Sequence, residues 1–119
     1  MLLEAMTEVA DYISTLALEA EVTTNALNAG NALNNGRAVI VVTPPAITGL
    51  TASTNEFQFE TAVISPWREL QKDFETLEPL ISELMSSQLM PTEAKPSVFQ
   101  AFDGQSYACY QLTHTTYSD

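Results

Sequence analysis

The chain has 119 residues, 45% of them apolar, which suits one domain with a single core spanning 1–119. Fifteen acids against four bases give a net charge of −11, and a surface of that sign repels phosphates and anionic lipid. The single Cys109 excludes an internal disulfide framework, and no apolar run is long enough for a membrane-spanning helix.

The N-terminus, MLLEAMTEVADY, carries acids where a secretion signal carries bases, so the chain is expected to be made and kept in a cytoplasm. Leu2, Met6, Val9, Ile13 and Leu16 recur by four and three, which predicts an amphipathic helix over 2–17. Glu4, Glu8 and Asp11 fall on its opposite face, where a solvated surface is the simplest reading. LEAEVT (18–23) alternates like a half-buried strand.

TNALNAGNALNNG (24–36) is rich in Asn, Gly and Ala and reads as a long polar loop. Being too polar to serve a core, it is expected to contact a neighbouring subunit or partner. The candidate residues are Asn25, Asn28, Asn31, Asn34, Asn35 and Arg37. AVIVV (38–42) is apolar on both faces, as in a central or covered strand, and Thr43-Pro44-Pro45 ends it. Residues 46–55 read as a connection turning near Gly49.

EFQFETAVI (56–64) is the next strand; period two puts Phe57 and Phe59 on one face and Glu56, Gln58 and Glu60 on the other. Ser65 and Pro66 suit the cap and first turn of a second helix, whose stripe is Trp67, Leu70, Phe74, Leu77, Ile81 and Leu84. Pro79 should kink or split it. Pro91 and Pro96 bracket a loop, and SVFQAF, a turn at Asp103-Gly104 and QSYACYQLTHTTY form a closing hairpin. The order α-β-β-β-α-β-β predicts an α+β fold: one mainly antiparallel sheet with two helices packed on one face.

A search for chemistry returns little. Cys109 and His114 are separated by an odd number of strand positions and so face opposite ways. Cys109 reads as a small hydrophobe and His114 as a surface or edge residue. One Cys and one His make no zinc pattern; neither a calcium loop nor a glycine-rich phosphate cradle occurs, so no catalytic residue, metal or cofactor is expected. Glu69, Asp73 and Glu83 lie among Arg68 and Lys72, which points to surface ion pairing. The dispersed Arg37, Arg68, Lys72 and Lys95 argue against specific nucleic-acid recognition.

The layout resembles the tail terminator family of long-tailed phages, also described as tail completion or minor tail proteins. The resemblance rests on the N-terminal helix, VIVVTPPAI, AVISPWRELQKDFETL and the FQAFDGQSYACYQLTHTT hairpin, and covers nearly the whole chain. It implies a structural virion protein without enzymatic activity. Such proteins form a six-membered ring on the head-proximal end of the tail tube, made of the major tail protein. The ring stops tube growth and joins the tube to neck or head-completion proteins. Double-stranded DNA passes through its lumen without specific binding. With the sheets facing inward, Glu56, Gln58 and Glu60 would line that lumen, joined by Glu19 or Glu21 according to register. A close structural alternative is another head–tail connector or neck protein, and an alternative of another kind is an acidic DNA mimic that inhibits a host protein.

Overall fold

The computed structural model describes residues 2–118, in the order α1 (Leu2–Thr15), β1 (Glu21–Thr23), α2 (Ala26–Asn34), β2 (Val39–Val41), β3 (Ala46–Gly49), β4 (Asn55–Ile64), α3 (Leu70–Met85), β5 (Glu93–Gln100) and β6 (Ser106–Ser118). The fold is α+β, and the expected order is present with two elements added, α2 and β3. One six-stranded sheet runs β1-β2-β4-β6-β5, with β3 also on β4. Four of its pairings are antiparallel, and only β1 runs parallel to β2.

β4 is the spine. Its whole length pairs with β6, from Asn55↔Ser118 to Ile64↔Cys109. Along its other side β2 covers Ala62–Ile64 and β3 covers Asn55–Gln58. The break between these two short strands is Thr43-Pro44-Pro45, where proline supplies no ladder donor, and Thr43 Oγ1 donates to the Glu60 carbonyl across the gap at 2.8 Å. Residues read as a plain connection thus form half of a hairpin. β3, the first half of β4 and the end of β6 project as an arm beyond β2 and β5, and the molecule measures 47 × 29 × 23 Å.

α1 and α3 lie on one face, closing a core of Ala5, Val9, Ile13, Leu77, Leu80 and Leu84 over Ile40, Val42, Phe57, Phe59, Val63 and Leu112. The predicted two-helix layer is therefore present, but the phase of α3 differs from expectation. Its inward positions are Asp73, Leu77, Leu80 and Leu84, while Leu70 is 72% and Phe74 51% exposed, and Trp67 lies outside the helix at 47%. Ser65 is not the cap. Glu69 holds that position without a side-chain bond, and the Ser65 hydroxyl reaches the carboxylate of Asp73, both buried. Pro79 leaves α3 unbroken, because it sits on the exposed outer side. Pro96 belongs to β5, an edge strand, where a missing donor is tolerated.

The opposite face has a second, smaller core. There α2 packs Ala29, Ala32 and Leu33 over Val39, Val41, Ala62, Ile64, Tyr107 and Cys109. The polar loop expected over 24–36 is this helix. Asn25 caps it by accepting from Leu27 N–H at 2.9 Å, and Gly36, at φ 75°, ends it. Its small buried face explains both how it packs and why its composition reads as a turn.

Candidate functional site

Phe57 and Phe59 point to the α1/α3 layer, so Glu56, Gln58 and Glu60 share the other face. α2 covers only the part of that face made by β2, the Ala62–Ile64 end of β4 and the Tyr107–Cys109 start of β6. Over the arm the face is uncovered: Gln58 and Glu60 are exposed and Glu56 is partly so. Their neighbours across β6 are Tyr117, Thr115 and Thr113, and across β3 Glu56 meets Thr48 and Gln58 meets Ala46. Glu93 of β5 pairs with Thr113 on the same face and binds Lys95 at 2.9 Å. The surface is threonine-lined and carboxylate-bearing, and no Lys or Arg lies between Arg37 and Arg68.

The structure separates the other two acids from this group. Glu19 lies before β1, in a hollow shared with Arg37 and Trp67. Glu21 opens β1 on the same sheet face as Val39, but at the α2 end, where it meets Arg37 at 3.4 Å.

The asparagines split by role. Asn25 and Asn35 flank α2 as caps, with Asn35 Nδ2 donating to the Asn31 carbonyl at 3.1 Å. Asn34 accepts from the Tyr107 hydroxyl at 3.2 Å, tying α2 to β6. Asn28, Asn31 and Asn35 line a polar hollow of about 320 Å³ against Glu21, Thr23 and Arg37, beside the free edge of β1. Excision of Asn25–Asn34 would strip the second core of Ala29, Ala32 and Leu33.

His114 is not a surface residue. It is fully buried, stacked on Phe59 with ring centroids 5.2 Å apart, and bonded through Nε2 to Thr61 Oγ1 at 2.7 Å. Burial lowers its pKa to about 4, so the ring is neutral at pH 7. Cys109 faces the other way, as its parity requires, and burial raises its thiol pKa against a smaller opposing effect of a Ser97 hydrogen bond. Neither group is placed for nucleophilic chemistry with the other. Among the described residues, no three His, Cys, Asp or Glu side chains are grouped to hold a metal ion. No helix among them is long and apolar enough to cross a membrane.

Two constellations escaped the sequence. One is the Phe59–His114–Thr61 group, which depends on the β4–β6 register. The other is Trp67 with Lys72 over its ring at 5.6 Å and Arg37 beside it; spacing alone offered no signal for that cluster. Compared with protein-family models, with curated proteins and with solved structures, the chain matches none.

Proposed function

We propose that the chain is a structural virion protein that caps the head-proximal end of a phage tail tube as a ring of identical subunits. In this role it halts polymerisation of the major tail protein and offers the joining surface for the neck. The observation that carries the reading is the uncovered arm face: Glu56, Gln58 and Glu60 among threonines, without an interspersed base along β4. Directed at a lumen, such a face keeps DNA phosphates from adhering through direct repulsion, which acts mainly within a screening length of about 8–10 Å at ordinary salt. The order of elements supports the same reading through its resemblance to tail terminators.

Purified protein added to polymerising tube protein should give tubes of finite length with density at one end only. Reconstruction of intact particles should place it at the tail–head junction. Tubes that grow unchanged, together with particles that lack the protein, would exclude this role.

A further inference from the structure

The base-bearing side chains are not spread evenly. Trp67 stands where β4 ends, with the Lys72 ammonium over its ring and Arg37 lining the same hollow of about 450 Å³; Arg68 follows next in the chain. Two of the four bases, Arg37 and Lys72, thus meet at the single tryptophan, and a third, Arg68, is its neighbour in the chain. Leu18, Ala20, Ala38 and Pro66 give the hollow an apolar part, Thr76 adds a hydroxyl, and Glu19 is its one acid. Its setting is fixed. Pro66 is buried, Trp67 Nε1 donates to Thr76 Oγ1 at 2.9 Å, and Arg68, at φ 57°, donates to Gln105 at 3.0 Å. A half-exposed tryptophan held by its own contacts and flanked by Lys72 and Arg37 has the make-up of an interface centre. The ion pairs of Arg37 with Glu21 (3.4 Å) and Lys72 with Glu69 (3.7 Å) join side chains that are largely exposed, so they hold these cations only weakly. Arg68 has no carboxylate partner among the described residues.

The complementary surface is on the chain itself. The outward side of α1 presents Leu3, 72% exposed, with the exposed Glu4, Glu8 and Asp11, and no Lys or Arg precedes Arg37. An exposed leucine beside three carboxylates matches a partly apolar hollow beside Arg37 and Lys72. One molecule cannot join the two. The C-terminal end of α1 leads into Leu18 at the hollow, so Leu3 lies at the far end of a helix that rises about 1.5 Å per residue.

We infer that the Trp67 hollow of one copy takes the acidic, leucine-bearing face of α1 from a second copy, head to tail. This deepens the ring proposed above, since such a contact closes into a ring or extends as a filament, but it is testable without any phage component.

The test uses the full chain and two charge-reversed forms: Arg37→Glu with Lys72→Glu, and Glu4→Lys with Glu8→Lys. All four side chains are exposed. Unchanged thermal unfolding would verify that both forms remain folded. The wild type should exceed its 13.0 kDa chain mass as concentration rises, and its tryptophan emission should shift to the blue. Each variant alone should be monomeric, because like charges then meet at the contact, and their equimolar mixture should associate, because each hollow then faces an α1 of opposite charge. A monomeric wild type, a mixture that does not associate, or self-association by the α1 variant alone would overturn the inference. If the mixed variants associate but tube growth is unaffected, the contact stands and the capping role falls.

Discussion

His114 has a fully buried ring whose Nδ1 finds no hydrogen-bond partner among the described residues. Its ring rests on Phe59 and bonds Thr61, and both neighbours are uncharged, so nothing nearby compensates a proton. The pKa is pushed from 6.5 to about 4 by desolvation. The unfolded chain therefore takes up a proton near pH 6.5 that the folded protein refuses until about pH 4. Stability is whole above 6.5 and is lost as the pH falls toward 4, by up to about 3 kcal/mol. Urea unfolding at pH 7.5 and at pH 5 should show that decline before most carboxylates titrate. His114→Phe should remove most of the slope between the two pH values, even though it leaves the Thr61 hydroxyl unpaired and lowers stability at both.

The helices separate what periodicity can say from what it cannot. α1 and β4 were legible because period 3.6 and period 2 each had one consistent apolar face. For α3 two stripes fit: Leu70, Phe74, Leu77, Ile81, Leu84, and the set actually buried, Asp73, Leu77, Leu80, Leu84. The second was disguised by an aspartate whose buried partner, Ser65, lies outside the helix. Leu84→Ala should accordingly cost about 2–5 kcal/mol, whereas Phe74→Ala, half exposed in a shallow groove beside Ile81 and Tyr110, should cost about 1 kcal/mol or less. Denaturant midpoints at constant slope would separate the two.

α2 was illegible for a different reason. Alanines and asparagines have no strong periodic contrast, and the helix is settled by the apolar sheet surface beneath it and by Asn25 at its start. Two measurements probe this. Asn25→Ala should lower stability by about 1 kcal/mol through loss of the bond from Leu27. Gly30→Ala should raise it by about 0.5–1 kcal/mol, because a Cβ there meets only Ala101 at 3.9 Å. A destabilised Gly30→Ala would mean that α2 is not helical in solution. In the candidate site, the parity of Glu56, Gln58 and Glu60 was readable from the strand itself, while the positions of Glu19 and Glu21 depended on a parallel pairing that no local pattern announces.

At the scale of the whole molecule, charge is the governing quantity. A net −11 opposes any close approach of identical copies, so assembly should be favoured by moderate salt and weakened when ionic strength is very low. If the chain forms the ring proposed above, particles carrying Glu56→Lys and Glu60→Lys should assemble but release DNA more slowly, with the delay largest in dilute buffer, where phosphate attraction is least screened. Ejection kinetics that stay at the wild-type rate at low ionic strength would refute the proposal that these residues face a channel.

The interruption at Thr43-Pro44-Pro45 also divides β4 mechanically. One flank of the spine is a continuous ladder to β6, while the other is two short ladders in series, bridged at the break by the Thr43–Glu60 bond. Strain applied to the arm tip therefore has a place to concentrate. The four exposed residues of β3 can detach without loosening β2, whose three residues are all buried. Backbone amides should report two clocks along one edge: fast deuterium uptake over Ala46–Gly49, and uptake over Val39–Val41 that waits for global unfolding. The arm is thus a compliant tip on a stiff body, able to adjust to whatever it meets without transmitting that adjustment to the core.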